Sequence, residues 1–241
     1  MNLLLFHSDE REDDDRVRIR GRRARHLREV FAASPGHELP VGELGGRLGR
    51  GTVLSLGDDD ALLAVTLERD PPPRLPLALV LALPRPKMLR RLLRAVAEFG
   101  VSELYLMNSE RVEKSFWQSE LLAEPALTDY LSAGAAQARD TRLPVVALRR
   151  RFRPFVEDEL PALCRGRQAL LAHPGPYPPC PASPVGPLLL TVGPEAGFND
   201  FEVALLERAG CRPVSLGVRT LRVETALVAA LGRLAAPAGA G

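Results

Sequence analysis

No stretch of about 18 apolar residues in this chain of 241 runs free of charges, so no membrane-spanning helix is expected. The opening run Asn2-Leu3-Leu4-Leu5-Phe6-His7 is too short for a signal peptide, and acids follow it. Cysteine is scarce: Cys164, Cys180 and Cys211 are odd in number and lack paired spacing. That argues against a disulfide framework or a zinc site and fits a reducing, cytoplasmic location. His7, His26, His37 and His173 stand apart, so no metal is expected. The glycine patterns of common nucleotide sites are missing too. There is no G-x-G-x-x-G after a strand, no G-x-x-x-x-G-K-[ST], and no G-x-S-x-G nucleophile elbow. No internal repeat is evident.

Lysine is nearly absent, with only Lys87 and Lys114, so the basic charge is carried by arginine. The formal net charge of +2 says little by itself, but its distribution says more. Asp9 to Asp15 is mostly acidic, and then Arg16, Arg18, Arg20, Arg22, Arg23, Arg25 and Arg28 follow with no acid among them. Such a block attracts a phosphate backbone, which makes Arg18, Arg20, Arg22, Arg23, Arg25 and Arg28 candidate RNA contacts. A solvated strand and helix face accounts for the same residues equally well.

With 46% hydrophobic residues there is material for a buried core. Asp70-Pro71-Pro72-Pro73 neither continues a helix nor sits in a central strand, and it divides the chain into domains at 1–70 and 71–241. The first part reads as a small β-barrel. Val17–Arg20 alternates, strands are expected near Glu38–Val41, Gly51–Leu56 and Ala61–Leu67, and a short helix near His26–Phe31.

After the linker, strand and helix alternate. Strands are expected at Leu77–Leu83, Glu103–Met107, Leu143–Leu148, Gln168–His173, Leu188–Val192 and Pro213–Leu216. Helices are expected around Leu89–Val96, Pro125–Arg139, Phe155–Cys164 (with Pro161 ending or kinking it), Asp200–Ala209 and Glu224–Leu234. Asn199 and Glu202 have capping-box spacing, and Gly210 follows the helix they open. The pattern predicts an α/β domain with a mostly parallel sheet covered by helices. The tail Pro237–Gly241 is expected to be loose.

In open α/β sheets, ligands bind at the carboxyl ends of strands. Three strand-to-loop junctions near the C-terminus therefore stand out: Ala172–Gly175, Gly193–Phe198 and Leu216–Ala226. Their glycines let a ligand approach the backbone, and the helix starts beside them carry unpaired N–H donors. Ordinary turns explain isolated glycines, but less readily three such turns in the last third of the chain.

The string Gly193-Pro194-Glu195-Ala196-Gly197-Phe198 resembles the GPEGGF signature of the ribosomal RNA small-subunit methyltransferase E family. Ser215-Leu216-Gly217 followed by Leu221-Arg222-Val223-Glu224-Thr225-Ala226 resembles that family's SLG…LRTETA signature. Lys87 with Glu98-Phe99-Gly100-Val101 is similar to its K…ELGV helix, and Gln137-Ala138-Arg139 through Leu143-Pro144 to its Q-x-R…LP segment. Arg25-His26-Leu27-Arg28-Glu29-Val30 stands where its HL-x-x-V element belongs. The likeness thus covers nearly the whole chain in order. The chain departs from the pattern at Ala196 and Val223, where the family has glycine and threonine, and at Phe99, where it has leucine. Ala196 suits the loop provided its backbone stays out of positive φ.

The resemblance implies a SPOUT-type domain with a parallel sheet and a C-terminal trefoil knot, preceded by a PUA-like RNA-binding barrel. It implies S-adenosylmethionine as cofactor, held by Ala172, His173, Gly193, Pro194, Glu195, Gly197, Phe198, Leu216, Gly217, Leu221 and Arg222. It also implies a homodimer and methylation of uridine N3 in 16S ribosomal RNA of the small subunit. Arg222 is the expected electrostatic stabiliser of the anionic base. Glu195 and Glu224 are the candidates to orient it, contact the donor or accept the proton, although acids at helix starts also arise simply to satisfy the dipole. The alternatives are a SPOUT methyltransferase acting on another RNA, such as transfer RNA, and a catalytically silent RNA-binding relative.

Overall fold

Strand β2 (Arg16–Arg20) shows how the first part of the chain is organised: Val17 and Ile19 are fully buried while the arginines beside them face outward. The structure, a computed structural model, describes residues 2–235 and divides into two compact units. The tail Pro237–Gly241 lies outside the described residues.

The first unit comprises the residues up to Pro73 together with Ser132–Leu143. Its other strands are β1 (Leu4–Phe6), β3 (Glu38–Glu43), β4 (Leu48–Leu56) and β5 (Asp60–Arg69). They form a five-stranded sheet in the order β1-β3-β4-β5-β2, parallel between β1 and β3 and antiparallel elsewhere. Helix α1 (Arg22–Glu29) starts earlier than the apolar spacing suggests. Gly21, at φ 62, turns the chain out of β2, and the arginines that follow are good helix formers. Leu27 joins Leu4, Phe6, Ile19, Val41 and Leu63 in the core. Residues 132–143 belong here through hydrogen bonds. Gly45 N donates to Thr141 O at 2.8 Å, and Thr141 Oγ1 donates to Gly46 O at 2.6 Å.

The second unit comprises Arg74–Leu131 and the described residues from Pro144 onward. Strands β6 (Leu75–Ala82), β7 (Val101–Met107), β8 (Val145–Arg149), β9 (Gln168–Ala172), β10 (Leu188–Val192) and β11 (Arg212–Val214) form one sheet in the order β11-β9-β10-β6-β7-β8. Every pair in it is parallel. The central strands β6 and β10 are apolar almost throughout, as strands covered on both faces must be.

Helix α2 (Pro86–Glu98) buries Met88, Leu89, Leu92, Leu93, Val96 and Ala97. Helix α3 (Glu124–Ala138) crosses the division between the units at Ser132. The helix expected at Phe155–Cys164 begins earlier and is irregular: α4 (Phe152–Pro154), a π-helical turn (Phe155–Glu159), then α5 (Leu160–Cys164). Pro161 has no N–H to offer the preceding turn, which widens. Helices α6 (Asp200–Arg208) and α7 (Val223–Ala235) complete the unit. No helix among the described residues is long and apolar enough to cross a membrane.

Candidate active site

Because the second sheet is entirely parallel, all its strands end on one edge, and the loops after β9, β10 and β11 meet there around a cavity. Its walls are Ala172, His173 and Pro174 from the first loop and Val192 to Phe198 from the second. The third contributes Leu216, Gly217, Arg219, Thr220 and Leu221, with Val223 and Ala226 of α7 behind them. Every residue expected to hold the donor lies on this wall except Arg222.

The loop after β10 is shaped by three local features. Phe198, 4% exposed, lays its ring against Gly193, where an added Cβ would lie 3.1 Å from Phe198 Cδ2. A side chain at Gly193 would push the ring back by a few tenths of an ångström. The single positive φ in the loop falls on Gly197 (φ 71), whose N–H donates to Pro194 O at 2.8 Å. Ala196 is not among the positive-φ residues, so its Cβ is tolerated where the family pattern has glycine. Asn199 then caps α6: its Oδ1 accepts from Glu202 N at 2.8 Å, and Glu202 Oε2 accepts from Asn199 N at 3.2 Å.

Glu202 is 2% exposed, and its second oxygen accepts from Glu110 N at 2.8 Å. The turn after β7 is thereby tied to the start of α6. Asn199 Nδ2 reinforces the tie by donating to Glu110 Oε2. From the same turn Arg111 Nη1 donates to Ala196 O at 2.6 Å and to Gly197 O at 3.4 Å. Sequence reasoning passed over Ser109-Glu110-Arg111, because a turn that acts on a loop some 85 residues away carries no local pattern.

The long connection after β9 is fastened to the last elements. His173 N donates to Val214 O at 3.1 Å, Cys180 N to Ser215 O at 2.8 Å, and Ser183 N to Arg233 O of α7 at 3.0 Å. The His173 ring sits 6.1 Å from that of Tyr177. Burial pushes the His173 pKa below its ordinary value, and the charge of Asp200 opposes the shift. Neutral His173 is therefore the form that faces the cavity at neutral pH.

The expected catalytic residues are not assembled around one another. Glu195 is exposed and turned toward Arg85, whose N–H donates to Glu195 Oε1 at 3.3 Å. Glu224 is half-buried in the first turn of α7. Arg222 accepts Ala226 N on its carbonyl at 2.8 Å, while its side chain is exposed. Among the described residues it forms no ion pair with Glu195 or Glu224. Among them, too, no cluster of three or more His, Cys, Asp or Glu forms a metal site.

The arginine run of the first unit is largely neutralised. Arg18 lies between Glu12 and Asp60, at 2.6 Å from Asp60, and Arg23 pairs with Glu10 at 2.5 Å. Arg25 meets Asp59 at 3.2 Å, and Arg28 meets Asp58 at 2.8 Å. The acids before the run and those at 58–60 fold back onto it. Only Arg20 and Arg22 of the six candidates stand exposed with no ion pair among the described residues.

A parallel α/β domain whose terminal loops enclose a cavity at the strand ends has a ligand site where open parallel sheets carry one. The model of the RNA methyltransferase domain family matches residues 71–235, which sets the class. The chain is 32% identical to the ribosomal RNA small subunit methyltransferase E of Treponema pallidum (strain Nichols), over 95% of this chain and 89% of that one. Two solved structures share the fold. A Legionella pneumophila protein in complex with the bound cofactor SAM has a TM-score of 0.77 at 20% identity, covering 96% of both chains. The small subunit methyltransferase E of Neisseria gonorrhoeae bound to S-adenosyl methionine has a TM-score of 0.74 at 19% identity, covering 95% of both. The chain belongs to the ribosomal RNA small subunit methyltransferase E family.

Proposed function

We propose that this protein transfers a methyl group from S-adenosylmethionine to N3 of a uridine in 16S ribosomal RNA. The observation that carries the reading is the convergence of the three signature loops on one cavity. The residues present fit the donor. The ring of Phe198 and the side chains of Leu216, Leu221 and Val223 offer an apolar bed for a purine. The absence of side chains at Gly193 and Gly217 lets ribose and adenine approach the backbone closely. S-adenosylmethionine bound there supplies an electrophilic methyl group.

The chain's own task is positioning and charge control. Uridine N3 carries a proton at neutral pH, and its lone pair is nucleophilic only once that proton has left. A guanidinium beside O2 or O4 lowers the proton's affinity and stabilises the charge that forms. We assign that role to Arg222, whose side chain is free to turn toward an incoming base. Glu195 and Glu224 are the candidates to orient that arginine, contact the donor or accept the proton.

The same reading makes the first unit a PUA-like RNA-binding barrel and the threading of the C-terminal segment a trefoil knot. Support for the knot is the connection over residues 173–187, which is hydrogen-bonded to both Ser215 and α7. A homodimer would complete the enzyme in the cytoplasm. The test is nucleoside mapping of 16S ribosomal RNA from a strain lacking the protein. Loss of one 3-methyluridine, restored by the purified protein with S-adenosylmethionine, supports the reading. An unchanged 16S profile with a missing methyl group in transfer RNA would support the nearest alternative.

A further inference from the structure

Helix α2 carries a stripe of cations that the site described above does not use. Lys87, Arg90, Arg91 and Arg94 fall at i, i+3, i+4 and i+7, so they share one face, opposite the buried Met88, Leu92 and Val96. All four are exposed, and none forms an ion pair among the described residues. Arg94 rests over the ring of Tyr130, 5.5 Å from its centroid, which fixes the lower end of the stripe. The first acid on the helix is Glu98, a turn beyond Arg94, and it makes no ion pair with it.

This arrangement opposes helix stability. Lys87 sits in the first turn, at the positive end of the helix dipole, and Lys87/Arg91 and Arg90/Arg94 are like-charge pairs at i,i+4. Several other arginines are neutralised: Arg16, Arg18, Arg28, Arg149 and Arg167 all meet carboxylates, whereas Arg20 and Arg22, like the stripe, meet none among the described residues. The unneutralised helix face is therefore the larger electrostatic feature, and the N-terminal arginine run the smaller one.

Its position gives it direction. The stripe begins two residues after Arg85, whose N–H donates to Glu195 of the cavity loop at 3.3 Å, and runs about 10 Å along the helix away from the cavity. We propose that the exposed face of α2 binds the phosphate backbone of the substrate RNA and guides the target nucleotide toward the cavity at its Lys87 end. This rests on the reading of the protein as an RNA methyltransferase. A polyanion matches four cations with no apolar residue among them. A second copy of the chain would have to bury them against carboxylates or leave them unpaired, at a heavy desolvation cost.

The test compares wild-type protein with the triple variant Arg90→Gln, Arg91→Gln, Arg94→Gln and with the triple lysine variant at the same positions. The probe is a 16S ribosomal RNA transcript, titrated over a series of salt concentrations. The glutamine variant should bind the transcript about tenfold more weakly or worse, with a log–log salt slope shallower by about two, from three lost phosphate contacts. Its melting temperature and S-adenosylmethionine affinity should hold or rise, and the lysine variant should keep the wild-type slope. Unchanged RNA affinity and slope in the glutamine variant, with wild-type methyl transfer intact, would overturn the stripe's role alone. Loss of an oligomer in that variant with RNA binding unchanged would assign the face to a second copy and also overturn it. Wild-type protein that neither binds the transcript nor transfers methyl would overturn the underlying reading and the stripe with it.

Discussion

Arg111 reaches from the turn after β7 to the loop after β10 and donates to the carbonyl oxygen of Ala196 at 2.6 Å. A guanidinium holding a backbone carbonyl restrains the loop in which the donor is proposed to sit. Arg111→Ala should therefore weaken S-adenosylmethionine binding about tenfold, the scale of one charge-assisted hydrogen bond. Arg111→Lys should recover part of it. Calorimetric titration beside thermal melting checks this, since equal losses in affinity and stability would mark Arg111 as a general support of the fold.

Gly197 combines a φ of 71 with open space around the position its Cβ would take. A substitution there is strained by its backbone and not by crowding. Gly197→Ala should weaken donor binding through a backbone cost of about 1–2 kcal/mol, and Gly197→Val by more, because a β-branched side chain adopts positive φ less readily. Titration of the two variants side by side decides it.

Arg222→Ala should leave donor affinity nearly intact and slow methyl transfer about a hundredfold or more, the usual scale for one preorganised electrostatic contact. Arg222→Lys should rescue only in part, because a point charge lacks the planar fork. Single-turnover rates across pH give the decisive readout. A group that favours loss of the N3 proton should show a defect that shrinks as pH rises.

His173 has its pKa lowered by burial, so the unfolded chain takes up the proton first as pH falls. Stability linked to this residue is fully present above about pH 6.5, the ordinary histidine value, and is lost as pH drops through the lower folded value. His173→Gln should flatten the pH dependence of the melting temperature in that acidic window and leave it unchanged above neutrality. An identical pH profile in wild type and variant would remove His173 from the balance.

Much of the second unit was legible because its signals are local. Asn199 and Glu202 announced the start of α6 through their spacing, and the apolar runs of β6 and β10 announced buried parallel strands. The three junction loops could be singled out because glycine patterns are short-range. What escaped was long-range pairing. Nothing around Asp58–Asp60 says that those acids fold over Arg18, Arg25 and Arg28, so the arginine run looked more cationic than it is. The same limit hid the tie between Glu110 and Glu202, and the membership of residues 132–143 in the first unit, which rests on Thr141 meeting Gly45 and Gly46. The stripe on α2 was in plain view, but its meaning needed the knowledge that no carboxylate among the described residues comes to meet it.

The order of the second sheet sets a timetable for the chain as it is made. Strand β10 lies between β6 and β9, so β6 lacks one of its two neighbours until Leu188, 106 positions after Ala82, has been synthesised. At ordinary rates of translation that interval lasts roughly five to twenty seconds. Throughout it, a strand that is almost wholly apolar offers an open row of N–H and C=O groups to any other chain nearby. A member of a ribosomal RNA methyltransferase family thus spends its own time on the ribosome with an apolar strand edge unpaired.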